Sequence, residues 1–299
     1  MSAKRVGTVA MTEFRVLGAI ETMVAGRAVQ VGSARQRAVL AVLLAEANRV
    51  VTVDQVIDRV WGQGPVPENP RPTVSTYISL LRRALNTTSG VHIVRHPSGY
   101  KMVLDERCVD VHRFRELLTA ARAQSSDSQA ADLLQAGLDL WRGEPYTGME
   151  TPWSNAARQN LLLQRYSARL DLTDLYLRLG RHTALVGELT DQAEKNALDE
   201  RIAGQLMLAL YRCGRKADAL ARYQQTRSRL AAELGSDPGP SLRDLQARIL
   251  SDDGDLAVAI PEPAAAGPGH RARKQCVNSR FHPGCSWVAR LNQPGSHLS

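Results

Sequence analysis

Residues 71–101 hold an amphipathic helix and, directly after it, a basic hairpin, a pairing that few folds accommodate. Val74, Ile78, Leu81 and Leu85 recur at steps of four, three and four, so they share one face of a helix. Pro72 suits the first turn, where a missing N–H costs nothing. The opposite face carries Thr76, Ser79, Leu80 and Arg83, with Thr73, Ser75 and Arg82 on its flanks. The following segment, Ile93 to Lys101, reads as a short hairpin with a basic tip at Arg95-His96-Pro97-Ser98-Gly99. A helix with a slim hydroxyl-bearing outer face suits a major groove about 12 Å wide. A basic hairpin beside it suits a minor groove or a phosphate. The pair predicts a winged helix-turn-helix shaped for duplex DNA.

The upstream sequence supplies the rest of that fold. Glu13–Leu17 and Ala28–Val31 read as short strands around a turn at Ala25-Gly26-Arg27. Ser33 is an N-cap candidate for a helix over 34–47 that buries Val39, Leu40, Leu43 and Leu44. Arg49-Val50-Val51 reads as an extended link. Thr52 caps a second helix, about 53–61, burying Val56, Ile57 and Val60. Gly62 to Pro70 has three prolines and two glycines in nine residues, which marks a loop. Helix, helix, loop, helix, hairpin is the order of the response-regulator type of winged helix-turn-helix, expected over residues 12–107.

After Asp110 the texture turns to continuous helical periodicity. Leu177-Arg178-Leu179-Gly180-Arg181 is echoed by Tyr211-Arg212-Cys213-Gly214-Arg215, with the glycines 34 residues apart, the tetratricopeptide period. Leu185, Val186 and Leu189 stand at the same offsets from Gly180 as Ala219, Leu220 and Tyr223 from Gly214. An all-α tetratricopeptide-like domain is expected over 111–252, and such helix pairs present surfaces to partners. The expected class is therefore mainly α with a small β component. Residues 1–11 read as a disordered N-terminus. Residues 253–299, with Pro261, Pro263, Gly267 and Pro268 and the cluster Arg271-Ala272-Arg273-Lys274, read as a disordered basic tail.

Charge is distributed unevenly. The formal net charge is +8. Residues 1–110 hold 14 basic against nine acidic side chains, whereas residues 111–252 hold 19 against 18. The excess lies with the winged helix, as phosphate binding requires. Within it, Thr76 and Ser79 are expected at base edges. Leu80, unable to donate to guanine, is restricted to a thymine methyl. Tyr77 packs its ring and turns its hydroxyl to a phosphate. Arg82, Arg83, Arg95 and Lys101 neutralise phosphates, with Arg35 and Arg37 joining from the first helix. Arg95 or His96 reaches the minor groove, and Thr73, Ser75 and Tyr100 complete the set.

Other classes lack their signatures. No Gly-x-Gly-x-x-Gly or Gly-x-Ser-x-Gly occurs, so neither an enzyme nor a bound cofactor is expected. The cysteines Cys108, Cys213, Cys276 and Cys285 form no Cys-x-x-Cys pair, so no metal is expected, although Cys276, His282 and Cys285 lie close in sequence. No apolar run approaches a membrane span, and Met1 to Ala10 lacks the core of a secretory signal. The expected location is the cytoplasm, at the nucleoid. A repressor and a helical-repeat scaffold are the alternative readings.

Several segments together resemble the Streptomyces antibiotic regulatory proteins. Phe14-Arg15-Val16-Leu17-Gly18, Ala34-Arg35-Gln36-Arg37-Ala38-Val39-Leu40, Ala47 to Asp54, Trp61-Gly62 and Thr76-Tyr77-Ile78-Ser79 with Leu81-Arg82-Arg83-Ala84-Leu85 resemble the family's winged helix. Leu140-Trp141-Arg142-Gly143, Gly204 to Tyr211 and Glu233 to Pro240 resemble its transcriptional activation domain. The resemblance implies a dimer on tandem direct repeats of double-stranded DNA near a promoter, recruitment of RNA polymerase holoenzyme, and activation of an antibiotic gene cluster. The absence of a Gly-x-x-x-x-Gly-Lys-[Ser/Thr] motif implies a small, ATP-independent member. In this fold type the 62–70 loop projects beside the groove, which marks Val66, Glu68 and Asn69 as polymerase contacts.

Overall fold

The computed structural model describes residues 12–86, 88 and 90–256. The expectations for residues 1–11, for Arg271 to Lys274 and for Cys276, His282 and Cys285 lie outside the described residues. The chain opens with an antiparallel sheet of β1 (Thr12–Arg15), β2 (Glu21–Val24) and β3 (Arg27–Val29) in that order. The sequence predicts two strands here, and β2 is the addition. Its inward residue is Thr22, buried at 1% exposure, so the apolar alternation that announces a strand is interrupted. The predicted turn joins β2 to β3, with Ala25 and Gly26 at φ 49° and 75°.

Helix α1 (Ala34–Ala45) begins with a reciprocal cap between Ser33 and Gln36, which satisfies two of the donors a helix start leaves open. Every residue from Ala38 to Leu44 is buried, so α1 is a central helix rather than a one-stripe helix. β4 (Val50–Thr52) leads into α2 (Val53–Trp61), capped the same way by Thr52 and Gln55. α3 (Pro70–Ala84) buries Val74, Ile78 and Leu81, the predicted stripe. It starts at Pro70, so the loop ends one residue sooner than expected. β5 (His92–His96) and β6 (Gly99–Val103) form the wing, in a sheet ordered β4-β6-β5. Gly99 pairs with Thr52, and a Cβ there would overlap the Val51 carbonyl, so only glycine lets the hairpin close on β4.

Seven helices follow a 3-10 turn at Glu106–Cys108: α4 (Asp110–Arg122), α5 (Asp127–Leu138), α6 (Pro152–Arg178), α7 (His182–Lys195), α8 (Glu200–Arg212), α9 (Lys216–Leu234) and α10 (Pro240–Leu250). The repeat noted in the sequence has a structural counterpart. Gly180 and Gly214 both sit at φ 75°, a left-handed conformation open to glycine. Arg181 N–H then donates to Tyr176 and Arg215 N–H to Leu210, each at 2.9 Å. A closing 3-10 turn, Gly254–Leu256, corrects the expected tail boundary: Leu256 is buried, and its carbonyl accepts from Arg212 Nε at 2.8 Å.

Two apolar cores organise the chain. The first runs from Phe14 through the winged helix and on to α4, α5 and Leu175 of α6. The second takes Leu177 and the helices from α7 to the closing turn. The division falls inside α6, a helix of 27 residues and about 40 Å, not at the winged-helix boundary.

Candidate nucleic-acid interface

Helix α3 presents Thr76, Ser79, Leu80 and Arg83 to solvent, with Thr73 and Ser75 half-buried at its sides. Three hydroxyls bond back one turn. Thr73 Oγ1 donates to the Asn69 carbonyl at 2.8 Å, Thr76 Oγ1 to Pro72 at 3.1 Å and Ser79 Oγ to Ser75 at 3.0 Å. Leu80 is 43% exposed. Tyr77 lies against the body of the fold, its ring stacked on Trp61 at 6.3 Å and 11°.

The wing is tied to α3 and α2 by named groups. Arg82 Nε donates to the Ile93 carbonyl at 2.9 Å. The guanidinium carbons of Arg82 and Arg95 lie 6.0 and 5.8 Å from the centre of the Tyr100 ring, and Arg95 Nη1 donates to the Tyr100 hydroxyl at 3.3 Å. Tyr100 itself is 3% exposed, so its ring is a packing element and only its hydroxyl edge faces Arg95. At the tip, His96 Nδ1 and Ser98 Oγ are 2.9 Å apart, and the Ser98 carbonyl accepts from Val53 N–H at 3.3 Å. Lys101 lies between Val50 and Val94 across the three strands, and both valines are exposed.

The two arginines of α1 are also engaged. Arg35 Nη1 donates to the Val60 carbonyl at 2.6 Å, with its guanidinium 5.9 Å from the Trp61 ring, and Arg37 Nη1 donates to Gly32 at 2.8 Å. Arg35 and Arg82 thus make intramolecular bonds that the sequence does not announce. Arg35, Trp61 and Tyr77 form a continuous stack joining α1, α2 and α3. Val66 is 47% exposed, and Glu68 and Asn69 are exposed in the 62–70 loop. The Asn69 carbonyl receives Thr73 N–H.

The cationic side chains of the winged helix fall into two groups. Arg15, Arg59, Arg71 and Arg107 each pair with a carboxylate. Arg82, Arg83, Arg95 and Lys101 have no such partner among the described residues, nor do Arg35 and Arg37, nor Arg27 and Arg49. Cationic groups whose charge is not neutralised by a carboxylate remain able to attract phosphates. Among the described residues no cluster of His, Cys, Asp and Glu is placed to hold a metal ion.

A buried carboxylate that sequence reasoning missed fixes this face to the helical part. The Asp110 side chain accepts from Val16 N–H and Leu17 N–H at 2.9 Å and from Arg142 Nη2 at 2.5 Å. Burial raises its pKa, opposed by those two N–H groups and the guanidinium. Arg142 N–H and Tyr146 N–H in turn donate to the Leu17 and Val16 carbonyls, each at 2.9 Å. These bonds take the backbone groups of Val16 and Leu17, which is why β1 stops at Arg15 and not at Leu17 as predicted. Farther along, Thr151 Oγ1 donates to the Arg59 carbonyl at 2.9 Å, Arg59 lies 5.6 Å from the Trp153 ring, and His112 Nε2 is 2.8 Å from the Leu44 carbonyl. Nothing local to Asp110 signals a partner 94 residues away.

A winged helix with a cationic, hydroxyl-lined recognition face, joined to a helical part, defines a DNA-binding transcriptional regulator. Comparison with known proteins agrees. Residues 27–102 match the family described as transcriptional regulatory protein, C terminal, and residues 109–250 match the bacterial transcriptional activator domain. The chain is 41% identical over 263 residues to the regulatory protein AfsR of Streptomyces coelicolor, a match covering 85% of this chain and 26% of that protein. It is 32% identical to the transcriptional regulator RedD of the same organism, covering 82% of this chain and 72% of RedD. A solved structure of Mycobacterium tuberculosis EmbR in complex with a low-affinity phosphopeptide aligns with a TM-score of 0.75 at 31% identity, covering 81% of this chain and 66% of that one. The chain spans about a quarter of the length of the AfsR regulators it matches. It belongs to the Streptomyces antibiotic regulatory protein family of transcriptional activators.

Proposed function

We propose that this chain activates a secondary-metabolite gene cluster by binding tandem direct repeats beside a promoter, as two copies on the DNA, and by recruiting RNA polymerase holoenzyme. The observation that carries the reading is the set of carboxylate-free cations, Arg83, Arg95 and Lys101, around the exposed outer face of α3. In this arrangement α3 enters the major groove. Thr76 and Ser79 meet base edges, with Thr73 and Ser75 at the groove walls. Arg83, Lys101 and Arg37 neutralise phosphates, and Arg95 and His96 approach the minor groove. Arg35, Arg82, Tyr77 and Tyr100 hold α1, α2 and the wing around α3. The 62–70 loop, through Val66, Glu68 and Asn69, faces the polymerase.

The test is selection of bound duplexes from a random library by the full chain, followed by transcription with purified holoenzyme on a template carrying the selected repeats. Enrichment of a directly repeated sequence and stimulated transcription are expected. Equal competition by random duplex would reject the reading.

A further inference from the structure

We propose that α3 reads its operator with acceptors and one aliphatic contact. The Thr76 and Ser79 hydroxyls accept hydrogen bonds from an adenine N6 or cytosine N4 amino group, and Leu80 seats against a thymine methyl. The inference rests on α3 being the major-groove helix, and adds which base features that helix selects.

A hydroxyl has one proton and two lone pairs. In Thr76 and Ser79 the proton points at a carbonyl one turn back, at 3.1 and 3.0 Å. What each side chain offers outward is therefore a lone pair. Only the amino groups of adenine and cytosine donate in the major groove. Leu80, 43% exposed beside these two residues, gains on a duplex only from another apolar group. The thymine methyl is the one the major groove provides. The guanidinium that most often reads guanine is missing from the middle of this face. Arg82 is held on the Ile93 carbonyl, and Arg83 stands next to the last helical residue, Ala84. Thr76 and Leu80 are separated by about 6 Å along the helix axis. That is the rise of about two base pairs, so the amino group and the methyl lie within about two base-pair steps of each other.

The experiment uses the full chain and a duplex it has selected, with single-atom base analogues. Replacing one thymine by deoxyuridine removes the methyl; it is expected to weaken binding about fourfold. Leu80→Ala should be indifferent to that replacement, and Leu80→Met should keep the sensitivity. Replacing one adenine by purine riboside, or one cytosine by its 4-deamino analogue, is expected to cost about fivefold. Thr76→Val or Ser79→Ala should be indifferent to it. Equal penalties in wild type and variants would overturn the assignment, as would a profile in which only 7-deazaguanine weakens binding under α3. Failure to select any sequence would instead overturn the reading of α3 as a DNA-recognition helix. A selected operator blind to these analogues overturns the base assignment alone.

Discussion

Arg82 and Arg83 are neighbours in sequence with opposite surroundings. Arg83 points to solvent with no hydrogen-bond or carboxylate partner among the described residues, while Arg82 grips the Ile93 carbonyl and the Tyr100 ring. Arg83→Ala is expected to weaken all sequences alike and reduce the salt slope of binding by about one, measured by titration across salt concentrations. Arg82→Ala should instead release the wing. Protection of the flanking minor groove in a hydroxyl-radical footprint is expected to fade while the bases under α3 stay protected. Asp110 is the other residue whose surroundings decide its role. Asp110→Ala leaves two backbone donors and Arg142 without their acceptor, and is expected to destabilise the fold by about 3 kcal/mol, read from the urea midpoint. The residues of α3 were legible from the sequence because the spacing of Val74, Ile78, Leu81 and Leu85 fixes which side faces out. The engagement of Arg82 and Arg35 was not, since their acceptors, Ile93 and Val60, are set by how elements pack rather than by spacing within one helix.

At the scale of elements, the order of helices, loop and hairpin was legible, because capping residues and a proline-rich loop punctuate the chain. The caps at Ser33 and Thr52 are the clearest case. Strand β2 was not legible, because Thr22 turns inward where an apolar residue is expected. The full burial of α1 was not either. Periodicity marks one stripe on a helix, but α1 is covered on one side by α2 and α3 and on another by His112 of α4. The 62–70 loop carries a prediction of its own. Its prolines restrict the unbound ensemble, so less entropy is lost on docking. A Gly-Ser loop of the same length is expected to bind DNA normally and to fail in transcription with purified polymerase. Full stimulation would move the polymerase contact to the helical part.

Across the whole molecule, the winged helix and the first helices after it share one core, which the sequence texture conceals by changing abruptly after Asp110. Residues 1–110 contain every candidate DNA contact and are expected to keep the sequence preference of the full chain. They lack Arg142 and Tyr146, and with them the cover over Val16 and Leu17. The fragment is therefore expected to melt more than about 5 °C below the full chain in a calorimetric scan. Equal melting would mean that the shared core adds nothing to the winged helix. On tandem repeats, inserting half a helical turn, about five base pairs, is expected to abolish cooperative binding in a gel-shift titration.

The buried carboxylate at the junction bears on a different insertion, one between operator and promoter. With Asp110, Arg142 and Thr151 locking the first core, the helical part has a fixed bearing relative to α3. Each base pair added between operator and promoter turns that bearing around the duplex by about 34°, one part in 10.5 of a turn. On the proposed reading the protein is a compass needle fastened to its dial: displacing the operator by a few base pairs is expected to point the helical part away from the promoter while leaving the contacts of α3 to DNA in place.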